Sequence, residues 1–144
     1  MTHKIIFWLD TFLLHFGVAN ALQKQYDYEM YGIIDVTNRT KKFFENQNIV
    51  KFKKIWFLHD HLQKDTEIDI DYLKNFENKY SINLWQLGFN ERLFYQYNDF
   101  YKFSQDEILS ILEKECKLYE SILDYVKPDF LITNETALHQ QHLF

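Results

Sequence analysis

Apolar residues along this chain fall into short unbroken runs, separated by longer stretches in which they recur every three or four positions. Lys4-Ile5-Ile6-Phe7-Trp8-Leu9 is the first run, and its continuity predicts a strand covered on both faces. A helix is expected over residues 12–26, with Asp10 or Thr11 as its N-cap. Phe12, Phe16 and Ala19 mark one apolar face of that helix, and Leu14, Val18, Ala21 and Leu22 mark another, so it should be largely buried. A second strand is expected over 28–36. Thr37 or Asn38 would then cap a helix whose Phe43 and Phe44 face the sheet. A third strand, 55–58, ends in His59-Asp60-His61, and Lys51, Lys53 and Lys54 read as a solvated turn before it.

From about 63 to 103 the pattern is less regular. Asp69 can cap a short helix with Tyr72, Leu73, Phe76 and Tyr80 along one side. Residues 84–97 read as one helix with Trp85, Phe89, Leu93 and Tyr97 as its stripe, and aromatics at that spacing are more often core than a sugar platform or a lipid-facing patch. The best-specified element is the helix Gln105–Val126. Ser104 and Glu107 form a capping box, Phe103 and Ile108 are placed as a hydrophobic staple, and Pro128 enforces the stop. Phe130-Leu131-Ile132-Thr133 then reads as a buried strand, and residues 136–144 begin a further helix that reaches the last residue without a C-cap or a glycine.

Strands alternating with helices predict an α/β fold. The expected architecture is a three-layer Rossmann-like domain over residues 1–144, with a mostly parallel sheet of about four or five strands and a helical insert before a long helix. The uncapped last helix leads to the expectation that this is the N-terminal part of a longer protein. Any site shared between two halves would then be half present.

Composition narrows the function. The net charge of −5 argues against a nucleic-acid binder, which needs a basic face. Cys116 is the only cysteine, so neither an intrachain disulfide nor a thiolate metal cage can form. It lies inside a helical pattern, where a small core hydrophobe is the simpler reading than a nucleophile. Neither G-x-G-x-x-G nor a P-loop occurs, and Gly17 falls inside a helix, so the usual signatures for NAD, FAD or ATP are missing and no cofactor is expected. The first apolar run is too short to span a bilayer.

Three blocks carry a resemblance: Leu14-His15-Phe16-Gly17-Val18-Ala19-Asn20-Ala21-Leu22-Gln23-Lys24; Ile82-Asn83-Leu84-Trp85-Gln86-Leu87-Gly88-Phe89-Asn90-Glu91-Arg92 leading to Phe100-Tyr101-Lys102-Phe103; and Val126-Lys127-Pro128-Asp129-Phe130-Leu131-Ile132-Thr133 followed by Glu135. Together they resemble the N-terminal half of surface and capsular polysaccharide biosynthesis proteins of bacteria, glycosyltransferases with two Rossmann-like domains in the GT-B arrangement. The resemblance implies an acceptor-side domain of a transferase, inactive alone, acting on a saccharide or lipid-linked saccharide. The nucleotide-sugar donor would be held by a missing C-terminal domain. It implies a cytoplasmic location, at the inner face of the membrane if there is peripheral membrane contact, and leaves room for a homodimer. A non-catalytic flavodoxin-like module that binds a ligand or a partner is the alternative. A metal-dependent hydrolase using His59, Asp60 and His61 is a third reading.

In open parallel sheets, ligands bind beyond the carboxyl ends of the strands. That rule selects Asp10-Thr11, Asp35, His59-Asp60-His61 and Asn134-Glu135, which should share one edge. Inverting glycosyl transfer needs a base for the acceptor hydroxyl, and Asp10 and Glu135 are the first candidates, with His15 next. Capping is the plain alternative for Asp10, Thr11, Asn134 and Glu135, and a satisfied core position is the plain alternative for His15. Thr11, Asp35, His59, Asp60, His61, Arg92 and Asn134 are the candidate substrate-binding residues. Arg92 qualifies through its forked guanidinium, with a surface ion pair as the alternative. A His-x-His pair on an extended segment would aim both rings one way, and His139 and His142 could share a helix face. Neither pair is taken as a metal site.

Overall fold

The structure is a computed structural model describing residues 2–9, 13–35, 38–61, 67–95, 100–133, 140 and 143–144, without the side chains of 38–40 and 92–93. Among these, the elements run β1 (Lys4–Leu9), α1 (Leu14–Gln25), β2 (Glu29–Ile34), α2 (Asn38–Asn46), β3 (Phe52–Phe57), α3 (Ile70–Tyr80), α4 (Leu84–Asn90), α5 (Arg92–Tyr95), α6 (Gln105–Val126) and β4 (Phe130–Ile132). The four strands form one parallel sheet in the order β3-β2-β1-β4, as expected of a Rossmann-like α/β fold. The chain divides into two compact units, residues 1–61 with 122–135 and residues 62–121 with 136–144.

In the sheet unit, β1 pairs with β2 along its whole length, from Lys4 opposite Glu29 to Leu9 opposite Ile34. On its other side it pairs with β4, from Ile5 opposite Phe130 to Phe7 opposite Ile132. One face of the sheet presents Ile5, Phe7, Leu9, Met30 and Ile34 to Phe16 and Ala19 of α1 and Phe44 of α2. The opposite face carries Tyr31 and Trp56, and the Trp56 ring meets Tyr125 of the last α6 turn at 6.0 Å. Helical segments therefore cover both faces, which is why β1 and β2 read as nearly continuous apolar runs.

Several expectations need correction. α1 is buried on one side only. His15, Phe16 and Ala19 face inward, while Leu14 and Val18 are exposed. Phe44 packs against the sheet, whereas Phe43 is 40% exposed and makes T-shaped contacts with the Phe16 and Phe44 rings. β3 starts three residues earlier than expected, so Lys53 and Lys54 belong to the strand rather than to a turn. A register shift after Met30 places Lys54 opposite Tyr31, and the Lys54 ammonium sits 4.8 Å from both the Trp56 and Tyr125 rings. β4 is not buried: Phe130 and Leu131 are exposed, because β4 is an edge strand with a single neighbour. The helix expected over 136–144 lies mostly outside the described residues.

In the helical unit the capping box forms as expected. Glu107 accepts from the Ser104 N–H at 2.9 Å, and Ser104 Oγ accepts from the Glu107 N–H at 3.2 Å. Asp69 caps α3 through the Tyr72 N–H at 2.9 Å. The single helix expected over 84–97 is instead two, α4 and α5, separated at Glu91, whose backbone turns extended (ψ 115°). Its stripe is also inverted. Leu84 and Gly88 are buried, while Trp85 and Phe89 are exposed and stacked on each other with centroids 5.7 Å apart. Gly88 allows the close packing: a Cβ there would lie 3.1 Å from Ile108 and 3.3 Å from Leu112 of α6.

Two carboxylates seven residues apart on α6 fasten α3. Glu113 accepts from the Asp69 N–H at 2.9 Å and from Lys117 at 2.5 Å. Glu120 accepts from Tyr72 Oη at 2.9 Å, Lys79 Nζ at 2.7 Å and Tyr80 Oη at 2.9 Å. Burial alone would raise the Glu120 carboxyl, but the Lys79, Tyr72 and Tyr80 donors outweigh it and hold the group below its ordinary value.

Gly88→Leu should destabilise the helical unit by about 1–3 kcal/mol, because overpacking pushes α4 off α6; urea unfolding against the native protein measures it. The Glu120 contribution is full above the ordinary carboxylate range, about pH 4.3, and is lost as pH falls through the lowered folded value. Amide protection factors in α3, corrected for the intrinsic exchange rate at each pH, should therefore fall below about pH 4.3. Glu120→Gln should cost about 1–2 kcal/mol at neutral pH and flatten that acid response.

Candidate functional site

The sheet order places β1 in the interior, with the chain moving to one side for β2 and β3 and to the other for β4. Ligands in such sheets enter beyond the carboxyl ends of the strands. At that edge, the part built from described residues is the rim formed by the end of β2, the end of β3 and α2.

Asp35 follows Ile34 directly and is partly buried. β3 ends in a tight 3-10 turn, Leu58–Asp60, closed by the His61 N–H on the Leu58 carbonyl at 2.9 Å. Leu58 is buried and anchors the turn, which leaves His59, Asp60 and His61 exposed at the tip. His59 Nε2 stands 3.9 Å from Asp35 Oδ1. Asp60 Oδ2 accepts from Lys41 Nζ at 2.6 Å, and the same ammonium lies 3.8 Å from Glu45 and 5.0 Å from the centre of the Phe57 ring. The Asp60 hydrogen bond raises the Lys41 ammonium above its ordinary value.

Sequence reasoning thus brought Asp35, His59 and Asp60 to one edge, and the structure places them there. His59 and His61 do not act as an extended His-x-His pair. His59 lies in the 3-10 turn and His61 caps its end, so the segment is not extended as that pairing requires. Among the described residues no group of three His, Cys, Asp or Glu side chains is arranged to hold a metal ion. Asp10, Thr11, Asn134 and Glu135 lie outside the described residues. Arg92 belongs to the helical unit, at the start of α5, and its side chain lies outside what is described.

His15 takes the plain alternative. It is buried, and its Nδ1 lies 2.7 Å from the Trp8 carbonyl oxygen, so the ring locks α1 to β1 from within the core. Lys41 is the residue that sequence reasoning missed. Its spacing to Glu45 marks only a helix-surface pair, and its approach to Asp60 depends on how α2 lies against β3.

An exposed imidazole backed by a carboxylate can take a proton from a bound hydroxyl, and the Asp35–His59 pair has that composition. Next to it, the Lys41–Asp60 pair offers a donor and an acceptor for polar groups of a ligand. At the first β–α turn, Leu13 adopts φ 56° and α1 starts without a side-chain cap. The left-handed conformation is where glycine would relieve the backbone, and here an exposed leucine adopts it instead.

Cys116 is fully buried in α6, and burial pushes its thiol well above the ordinary value, with the Glu115 and Glu120 charges adding to the effect. In the folded protein it should give no reaction with Ellman's reagent over minutes at pH 8, and one equivalent after unfolding in urea. Prompt labelling of the native chain would contradict the burial. No helix among the described residues is long and apolar enough to cross a membrane. No family model, curated protein or solved structure matches the chain.

Proposed function

We propose that the chain is the acceptor-side Rossmann-like domain of a glycosyltransferase in bacterial surface polysaccharide synthesis. The observation that carries this reading is the carboxyl edge of β2 and β3. There Asp35 and His59 stand 3.9 Å apart, beside the Lys41–Asp60 pair. A saccharide hydroxyl needs hydrogen-bonding partners of both kinds and a group able to accept its proton, and this rim supplies each. The absence of a glycine-rich turn in the sequence supports placing the nucleotide-sugar donor on a second domain. The resemblance of the three sequence blocks points the same way. On this reading His59, with the Asp35 carboxylate close by, is the described residue best placed to take the acceptor proton, and Lys41 and Asp60 position the sugar.

A non-catalytic binding module is the second reading. What favours it is that 3.9 Å exceeds hydrogen-bonding distance, and that His15 is spent in the core.

Nuclear magnetic resonance titration with a panel of short neutral and acidic oligosaccharides tests the proposal. Binding should shift the amides of Asp35, His59 and Lys41, while nucleotide sugars leave them unmoved. His59→Ala and Asp60→Asn should each weaken the saccharide by about tenfold, the loss of roughly one good hydrogen bond to a charged group. Tight binding of a nucleotide sugar to this chain alone, or no response to any saccharide, would sink the acceptor-side assignment.

A further inference from the structure

A cavity of about 180 Å³ opens in the helical unit between α3, α4 and α6. Its floor is hydrocarbon: Leu73, Leu84 and Leu109 line it and all three are buried. Ile70 and Trp85, both exposed, also line it, and Trp85 is braced by the stacked ring of Phe89.

The two charged residues of the lining differ in what they have left to offer. Glu77 Oε1 accepts from the Leu84 N–H at 2.7 Å, so its carboxylate is committed to the start of α4. Lys74 makes no ion pair or hydrogen bond with any described residue, whereas Lys79 and Lys117 of the same unit are held by Glu120 and Glu113.

A polyhydroxylated ligand does not suit this floor, which has no polar group to replace the water such a ligand would lose. A cavity of about 150 Å³ accommodates one benzene ring, so this one has room for a ring or a chain of about six carbons. We propose that the cavity binds the apolar end of a small anionic amphiphile, a hydrocarbon chain or ring bearing a carboxylate or phosphate head that pairs with Lys74. The site is separate from the sheet edge and stands whether or not the transferase reading holds.

A chain-length series tests it. Methyl resonances of Leu73, Leu84 and Leu109 are followed while the 144-residue chain is titrated with butanoate, pentanoate, hexanoate, octanoate and hexanol. The dissociation constant should fall about fourfold for each methylene up to hexanoate and level off beyond it, as further carbons remain in water. Lys74→Gln should weaken hexanoate by about two- to fivefold and leave hexanol unchanged. Ile70→Trp, at an exposed position, should close the mouth and abolish both without disturbing the floor. Several results would overturn the proposal: no methyl response at millimolar hexanoate, affinity independent of chain length, equal losses of hexanoate and hexanol in Lys74→Gln, or undiminished binding in Ile70→Trp.

Discussion

The sheet unit depends on one strand having neighbours on every side. β1 is paired on both edges and covered on both faces, and Ile5 to Leu9 are all buried. A parallel strand in that position gains from apolar residues throughout. The cost is that hydrophobicity no longer specifies register, since a slip by one residue would exchange one buried set for another. Polar contacts at the strand's start supply the missing information. Asp129 donates its N–H to the Lys4 carbonyl at 2.9 Å, and its carboxylate accepts from the Lys4 N–H at 2.8 Å. That backbone donor is the main reason the Asp129 carboxyl lies below its ordinary value, with His3 adding to it. Lys4 Nζ also bonds the Val126 carbonyl at 3.1 Å, closing α6 just before Lys127 turns left-handed and Pro128 ends the helix. The entry to β1, the end of α6 and the entry to β4 are thus tied at one point, and the shared edge downstream follows from it.

The helical unit solves a different problem, since short helices bury little and need help to hold their places. Here the help comes from carboxylates. Glu113 and Glu120 lie one heptad apart on α6, and the groups they grip, the Asp69 N–H and the Tyr72, Lys79 and Tyr80 side chains, span the length of α3. Glu77 passes the constraint on to α4 through the Leu84 N–H. Gly88 then lets α4 settle against Ile108 and Leu112. This chain of contacts makes Leu84 and Gly88 the inward side of α4 and turns Trp85 and Phe89 outward.

Elements whose signal is local were legible in the sequence. β1 and α6 have the expected bounds, and the Ser104–Glu107 box and the Asp69 cap form as the residue types dictate. Periodicity failed where both faces of a helix are apolar. On α1 the pattern cannot say which of Phe16 and Leu14 meets the sheet, and on α4 aromatic bulk was mistaken for burial when a glycine marked the buried side. At the candidate site, the rule for parallel sheets located Asp35, His59 and Asp60 because it needs only strand ends. Lys41 escaped because its role arises from the packing of α2 beside β3, a contact nineteen residues away in sequence. For His15 the sequence left both a catalytic and a core reading open; the bond to the Trp8 carbonyl that decides for the core lies at the β1–α1 crossing, which no spacing within α1 reveals.

The chemistry open to the sheet edge follows from how its charges are shared. Lys41 is balanced by Asp60 and Glu45, so it does not offer the net positive field that a phosphate would seek. At the β1–α1 junction, Leu13 holds a left-handed backbone without glycine, and the sequence has no glycine-rich turn there. A neutral polyol asks for neither a net charge nor close backbone approach. It asks for donors and acceptors held in fixed places, with a proton acceptor near one hydroxyl. Lys41 and Asp60 are fixed by each other, Asp60 and His59 by the 3-10 turn that Leu58 anchors, and Asp35 by the end of β2. The donors and acceptors of this edge are thus held by a strand end, a tight turn and a helix packed beside them, and the proposed saccharide would need that fixed arrangement.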